Sequence, residues 1–110
     1  MKLLALEKEL PGATAQAFRP LLKPEARRIW ELQQSGAIRE TYFRADQHNA
    51  ILVLECGDIE EAQRLLSTLP LVNEGLITFD IIPLAPYDGF ARLFEKVSTR
   101  SPDIGEASNG

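Results

Sequence analysis

The sequence predicts an α+β domain in which four strands and two main helices follow one another in the order βαββαβ. Three observations support this prediction. Four segments space their apolar residues as strands do, two segments space them as helices do, and proline or glycine stands at the ends of these elements. The chain has 110 residues, which fits one domain. We expect that domain to span residues 1–97.

The first strand and the first main helix come from the opening third of the chain. Residues 2–10 alternate with period two, which predicts a strand. Pro20 and Pro24 then mark the entry to a helix, where a missing N–H is tolerated. Gly36 ends that helix in the manner of a C-terminal glycine. Apolar residues recur between these points at i, i+4, i+7 and i+8, namely Leu22, Ala26, Ile29 and Trp30.

A hairpin and a second helix follow. Residues 37–44 and 50–56 are rich in β-branched and aromatic side chains, which favour strands, and a polar loop joins them. Asp58 stands in the position of a helix N-cap, with Glu61 three residues later as its capping-box partner. We expect Pro70 to end this helix.

The last predicted elements are a strand and a short helix. Residues 76–84 alternate again and form the fourth strand. An additional C-terminal helix is predicted from an apolar stripe that comprises Phe90, Leu93, Phe94 and Val97. Residues 98–110 are polar and rich in Ser, Pro, Gly, Asp and Asn, so we expect a disordered tail.

The order of these elements is a split βαβ arrangement, which is the ferredoxin-like layout. Right-handed crossovers would place both main helices on one face of an antiparallel sheet. The apolar alternation predicts that the helices cover Leu4, Leu6, Leu52, Leu54, Cys56, Ile77, Phe79 and Ile81. The opposite face would then carry Ala5, Glu7, Ile51, Val53, Glu55, Thr78, Asp80 and Ile82.

That opposite face has two interpretations because it mixes apolar and acidic residues. It is a solvated sheet face of the kind that antiparallel sheets permit, or a second copy of the chain packs its own sheet against it. In the second case we expect the acidic side chains to line a cavity between the two sheets. The interface of a homodimer or larger homo-oligomer and the functional site would then be the same surface.

Composition narrows the class of partner. The formal net charge is −4, which argues against nucleic acid because phosphate binding requires a concentrated basic face. The single cysteine, Cys56, cannot form an internal disulfide, and no Cys/His spacing suggests a metal site. The N-terminal segment is too short and too charged for a signal peptide or a membrane span. We therefore expect a cytoplasmic protein that binds a small molecule.

The stretch from Gly36 to Pro86 resembles muconolactone isomerases and their relatives within the dimeric α/β-barrel superfamily. The residues that carry the resemblance are Gly36 with Arg39, Gln47 in the hairpin loop, Glu55, the run LLSTLPL at 65–71 and the run IIPLAPY at 81–87. The segments YFRAD at 42–46 and GFARLF at 89–94 resemble relatives other than the isomerases themselves. The resemblance implies a ferredoxin-like subunit whose sheet pairs across a dimer, with larger rings in the isomerases.

The resemblance also implies proton transfer on a small carboxylated lactone without a cofactor. A base for such a reaction needs a tuned pKa, which a carboxylate acquires in a dry cavity. The candidate bases are Glu7, Glu55 and Asp80, with His48 as a weaker candidate. The candidates for binding a carboxylated substrate are Arg39, Tyr42 and Arg44, which lie on the second strand. Arg39 and Arg44 fall on opposite sides of that strand, and the sequence leaves open which side faces the cavity.

Two other functions compete with this hypothesis. A non-enzymatic ligand-binding or regulatory module is consistent with the absence of a strong catalytic motif. A haem-dependent monooxygenase of the same superfamily would use His48 as an axial ligand. Among the remaining chemically distinctive residues, we predict that Cys56 is buried and unreactive and that Trp30 and Phe79 are core residues.

Overall fold

The computed structural model describes residues 1–95. They form one antiparallel sheet of four strands in the order β2-β3-β1-β4, which confirms the predicted α+β class. In chain order the elements are β1 (Lys2–Glu9), α1 (Ala15–Phe18), a 3₁₀ turn (Arg19–Leu21), α2 (Leu22–Gln34), β2 (Ile38–Phe43), β3 (Ala50–Glu55), α3 (Ile59–Leu66), α4 (Pro70–Asn73), β4 (Ile77–Pro83) and a 3₁₀ helix (Gly89–Phe94).

Local signals explain where the helices begin and end. Gly36 has φ of 89°, a left-handed conformation that favours glycine after the end of α2. The Asp58 side chain accepts a hydrogen bond from the Glu61 N–H at 2.8 Å, and the Glu61 carboxylate accepts one from the Gly57 N–H at 2.6 Å. The predicted cap of α3 is therefore confirmed.

One prediction about the helix ends was wrong, and the additional C-terminal helix is present as a short 3₁₀ helix. Pro70 does not end α3, which stops at Leu66; it opens the short helix α4, where its missing N–H costs nothing. The additional C-terminal helix is a 3₁₀ helix over Gly89–Phe94 whose large apolar side chains are exposed. Val97 and the predicted tail at 98–110 lie outside the described residues.

The register between β1 and β3 determines which face each residue of β1 occupies. Leu3 pairs with Leu54 and Ala5 pairs with Leu52, and all four side chains are buried beneath the helices. The prediction for β1 was therefore wrong. Ala5 and Glu7 lie on the helix-covered face, and Leu4 and Leu6 lie on the opposite face. Leucines occur at adjacent positions 3 and 4, so the alternation in β1 did not specify its face.

The helix-covered face forms the core of the protein. The core cluster consists of Leu3, Ala5, Leu32, Ile38, Ala50, Leu52, Leu54, Cys56, Ala62, Leu66 and Leu69. Phe79 packs against this cluster as predicted, and Cys56 is buried as predicted. Trp30 was predicted to be a core residue, but 61% of its surface is exposed.

The rotation of α2 about its axis explains why Trp30 is exposed. Arg28 donates through Nε to the Thr68 hydroxyl at 2.9 Å, on the side of the helix that faces the α3–α4 connection. Gln33 accepts from the Thr41 hydroxyl of β2 at 3.1 Å on another side. Glu25 and Leu32 are buried, whereas Leu22, Ala26 and Trp30 are exposed.

The opposite side of the sheet, here called the open face, has an apolar centre. Leu4 pairs with Val53 and Leu6 pairs with Ile51 across β1 and β3, and Leu4 pairs with Ile82 on β4. Among residues 1–95, the core cluster and the apolar residues packed against it include none of these open-face side chains. None of the helices in that range has the length and apolar character that crossing a membrane requires.

Candidate functional site

The carboxylate of Glu7 lies where β1 and β3 separate, near the hairpin end of the sheet. Its Oε1 accepts a hydrogen bond from the Ala50 N–H at 2.7 Å. The Asn49 side-chain amide donates to the Glu7 carbonyl oxygen at 3.1 Å. At this point side-chain hydrogen bonds take the place of backbone hydrogen bonds between β1 and β3, and they hold Glu7 on the helix-covered face.

A second carboxylate, that of Glu25, approaches the same region from α2. Only 7% of Glu25 is exposed, and its Oε1 accepts a hydrogen bond from the Leu71 N–H at 2.9 Å. That N–H belongs to the first turn of α4, where backbone donors have no partner within the helix. Glu25 therefore joins α2 to α4.

Burial acts on both carboxyl groups, and the charge on Glu7 also acts on Glu25. Burial raises the pKa of Glu7 above its usual value of 4.5, while the Ala50 N–H opposes that rise. Burial also raises the pKa of Glu25; the Leu71 N–H opposes the rise and the charge on Glu7 adds to it. Two carboxyl groups with raised pKa on facing elements are an arrangement typical of acid–base sites.

His48 and Phe43 complete this end of the sheet. Their rings stack with centroids 3.8 Å apart and planes inclined by 21°. The charge on His48 acts on Glu7 and lowers its pKa, in opposition to burial. Phe43 pairs with Ala50 on β3, and the Ala50 N–H donates to Glu7, so the aromatic pair and the carboxylate occupy one row across the sheet.

The structure does not bring the three predicted carboxylates together. Glu7 was predicted on the open face but lies on the helix-covered face, for the reason of register given above. Glu55 binds the N-terminal amine of Met1 at 2.8 Å, and this hydrogen bond lowers its pKa. Asp80 lies 3.4 Å from the ammonium group of Lys8, and both side chains are exposed.

The three predicted substrate-binding residues also point to separate local partners. Arg39 donates to the Gly36 carbonyl at 2.7 Å. The Tyr42 hydroxyl donates to Glu40 at 2.6 Å, and this hydrogen bond raises the tyrosine pKa. Arg44 forms a bidentate pair with Asp46 at 2.9 and 2.6 Å. Their roles in substrate binding remain predictions.

Glu25 is the residue that the sequence reasoning missed. A signal was present, because Glu25, Ile29 and Leu32 follow one another at i, i+4 and i+7, the spacing of one helix face. That face is the one α2 turns toward the core. An acidic residue on a buried helix face is unusual enough to mark a candidate site.

A separate cavity of about 320 Å³ lies around the outer edge of β4, beneath α3 and α4. This volume is within the range of small-molecule sites. Neither Glu7 nor Glu25 lines it, but its wall includes Phe79, which pairs with Glu7 across β1 and β4. The lining residues are Ile59, Gln63, Leu66, Ser67, Val72, Thr78, Phe79, Asp80 and Ile81.

Metal coordination has no support in the described part of the chain. Within residues 1–95, no group of three or more His, Cys, Asp or Glu side chains is placed to hold a metal ion.

The fold defines the class of protein, a ferredoxin-like α+β protein that carries two carboxyl groups between its sheet and its helices. The family model of muconolactone delta-isomerase matches residues 5–89. The chain therefore belongs to the muconolactone delta-isomerase family. No protein with a curated description matches the sequence significantly.

Two solved structures have the same fold. A muconolactone isomerase superposes with a TM-score of 0.67 at 19% identity, covering 94% of this chain and 100% of the other. The 5-chloro-2-hydroxyhydroquinone dehydrochlorinase from Burkholderia phenoliruptrix, in complex with 2,5-dihydroxybenzoquinone, superposes with a TM-score of 0.62 at 15% identity. That match covers 81% of this chain and 98% of the other. At these identities the two matches establish the fold.

Proposed function

We propose that this protein is a cofactor-free isomerase that moves a proton within a small organic acid or lactone. The observation that carries the proposal is the carboxyl pair, in which Glu7 and Glu25 approach from β1 and α2 and both have a raised pKa. The family membership supports it, because the family is named for an isomerase of a lactone. The dehydrochlorinase complex adds that a relative in fold binds a small cyclic compound.

In the proposed reaction the Glu7 carboxylate removes a proton from a carbon next to a carbonyl group. The C–H bond breaks, an O–H bond forms on Glu7, and the electron pair moves to the carbonyl oxygen as an enolate. Return of the proton to another carbon of the conjugated system completes the isomerisation, with no net change in composition. A raised pKa suits Glu7 to this exchange, because base strength increases with pKa.

Glu25 would act as the partner acid. It is the more deeply buried of the two, and the charge on Glu7 favours its protonated form. A protonated carboxyl can donate a hydrogen bond to an enolate oxygen and stabilise it in a site of low dielectric. The two groups would thus divide the roles of base and acid according to their surroundings.

We also infer that a second copy of the chain covers the open face. Five apolar side chains form its continuous centre, Leu4, Leu6, Ile51, Val53 and Ile82. Charged groups surround them, including Lys8 and Asp80, in the pattern of an apolar interface with a polar rim. The competing interpretation, a solvated sheet face, predicts a monomer in solution.

The test of the reaction measures proton exchange rather than a single product. The protein is incubated with muconolactone in deuterated water, and loss of the carbon-bound proton signal is followed by proton NMR. We expect Glu7→Gln to lower the exchange rate about 100-fold or more, the usual contribution of general base catalysis, and Glu25→Gln to lower it as well. Asp80→Asn is the control, because Asp80 is exposed and paired with Lys8.

Full exchange in the Glu7→Gln variant would contradict the proposed base. Loss of exchange in Asp80→Asn alone would place the base at the cavity beside β4, which Asp80 lines. That same cavity favours the second candidate function, a ligand-binding module without catalysis. The second candidate predicts that a ligand raises the melting temperature and is recovered unchanged, with no exchange in any variant.

A further inference from the structure

We propose that Asn49, at the end of the hairpin loop, is a positioning residue for the candidate base Glu7. Its side-chain amide binds the Glu7 carbonyl oxygen, and this leaves the Ala50 N–H available to the Glu7 carboxylate. The inference rests on the proposed function for the role of Glu7 as a base. The exchange of hydrogen-bond partners itself does not depend on catalysis.

The ladder between β1 and β3 shows which hydrogen bond Asn49 replaces. The Cys56 N–H donates to the Met1 carbonyl oxygen at 3.0 Å, and hydrogen-bonded pairs recur at every second residue along the two strands from there. The same register, continued to the hairpin end, makes Glu7 and Ala50 such a pair. In a regular ladder the Ala50 N–H would therefore donate to the Glu7 carbonyl oxygen.

In the structure this donor and this acceptor have other partners. The Ala50 N–H donates to Oε1 of Glu7 at 2.7 Å, and the Glu7 carbonyl oxygen accepts from Nδ2 of Asn49 at 3.1 Å. A partly buried carbonyl oxygen requires a donor, and the Asn49 amide supplies it. The backbone donor is thereby directed at the carboxylate, where a hydrogen bond both fixes the group and favours its ionised form.

The Ala50 N–H is directed away from β2. The Arg44 N–H donates to the Asn49 carbonyl oxygen at 2.9 Å, so these two residues form a hydrogen-bonded pair beside the loop. The next pair along the strands, Phe43 with Ala50, is then one without backbone hydrogen bonds between its members. The Ala50 N–H thus points to β1, and its acceptor is either the carbonyl oxygen or the carboxylate of Glu7.

The hairpin loop holds Asn49 in place. The Asn49 N–H donates to the Gln47 carbonyl oxygen at 2.7 Å, which closes a three-residue turn centred on His48. The His48 ring stacks on Phe43 at a centroid distance of 3.8 Å and ties this turn to β2. The backbone N–H, the carbonyl oxygen and the side-chain amide of Asn49 are therefore all hydrogen-bonded, and the amide is preorganised toward Glu7.

Loss of the Asn49 amide should change the pH at which Glu7 ionises. The charged groups that interact with Glu7 are Glu9 of β1, His48 of the hairpin loop and Glu25 of α2. Burial raises the pKa of Glu7, and the hydrogen bond from the Ala50 N–H is the main influence that lowers it. Without that bond, burial and the charge on Glu9 would be opposed by His48 alone, and the pKa of Glu7 would rise further.

The amide proton of Ala50 is a direct probe of the exchange. An N–H bonded to a carboxylate changes its chemical shift as the carboxylate ionises, which ¹H–¹⁵N correlation spectra record over a pH series. We expect the Ala50 signal of the native protein to follow the ionisation of Glu7, and Glu7→Gln to remove this response. Asn49→Leu keeps the approximate shape of the side chain without a donor and should also remove it, because the Ala50 N–H returns to the Glu7 carbonyl oxygen. Asn49→Gln keeps the amide and should retain the response.

Proton exchange of muconolactone in deuterated water is the second measurement. Asn49→Leu should lower the rate about 10- to 100-fold, as misplacement of a reacting group does, and should move the acid limb of the pH–rate profile to higher pH. Asn49→Gln should recover most of the rate. Asn73→Leu is the matched control, the same substitution at an exposed asparagine of α4, and should alter neither the profile nor the Ala50 response. The melting temperature of each variant verifies that it is folded.

Three results would overturn the role of Asn49. The first is an Ala50 signal of the native protein that does not respond to Glu7. The second is an Ala50 signal that still responds in Asn49→Leu. The third is a slower proton exchange in Asn49→Leu with an unmoved pH–rate profile, since a purely structural role would give that result. Full proton exchange in Glu7→Gln, together with loss of the Ala50 response in Asn49→Leu, would support the role of Asn49 and contradict the proposed function.

Discussion

Replacing Glu25 by alanine and by glutamine separates two effects on stability, that of its hydrogen bond to the Leu71 N–H and that of its ionisation. Alanine removes the acceptor of the Leu71 N–H, and Leu71 is itself only 6% exposed, so water cannot replace the lost partner. A buried donor left without a partner costs about 1–3 kcal/mol. In a domain of this size each kcal/mol lowers Tm by about 4–8 °C. Glutamine keeps an acceptor oxygen for this N–H, so Glu25→Gln should lose less unfolding free energy than Glu25→Ala.

The difference in unfolding free energy between the Glu25→Gln variant and the native protein should depend on pH. Burial raises the pKa of Glu25, and the charge on Glu7 adds to that rise against the Leu71 N–H. A folded-state pKa above the unfolded one means that the contribution to stability is fully present below the unfolded pKa. It is lost as pH rises through the folded pKa. Since glutamine does not ionise, Glu25→Gln should gain stability relative to the native protein as pH rises.

The measurement is urea unfolding followed by circular dichroism at several pH values from 4.5, the usual pKa of a glutamate, upward. Glu31→Gln is the control, because Glu31 lies on the same helix but is exposed and paired with Arg28 at 3.0 Å. A surface pair contributes about 0–1 kcal/mol. Equal unfolding free energies for the alanine and glutamine variants at every pH would refute the reasoning.

Two further predictions concern the open face and the single thiol. Leu6→Lys places a charge at the centre of the open face, and analytical ultracentrifugation should show a smaller assembly than for the native protein; an unchanged sedimentation coefficient would count against the interface. Cys56 is 5% exposed and burial raises the pKa of its thiol, so a thiol reagent at pH 8 should label it only on unfolding. Rapid labelling of the folded protein would contradict this prediction.

The features that the sequence predicted correctly depend on short-range rules. The left-handed Gly36 follows from the need for a residue without Cβ after a helix. The cap formed by Asp58 and Glu61 follows from a spacing of three residues. The order of strands and helices follows from the period of the apolar pattern, and it was sufficient to predict the antiparallel sheet.

The features that the sequence did not predict depend on contacts between distant parts of the chain. The face of Glu7 depends on the register of β1 against β3, since adjacent leucines in β1 satisfy either face. The role of Glu25 depends on a donor 46 residues away, on the short helix α4. The exposure of Trp30 depends on the rotation of α2, which turns Leu32 into the core and leaves Trp30 on another side of the helix. None of these pairings has a local signature.

The reversed face of β1 changes the relation between assembly and function. With Glu7 on the open face, the subunit interface and the active site would be one surface, and no substitution could affect one without the other. In the structure Glu7 and Glu25 lie on the helix-covered side, whereas Leu4 and Leu6 lie on the open face. The proposed assembly and the proposed proton transfer are thus separable. A Leu6→Lys variant that no longer assembles should still exchange the proton of muconolactone, provided that the sheet keeps its register.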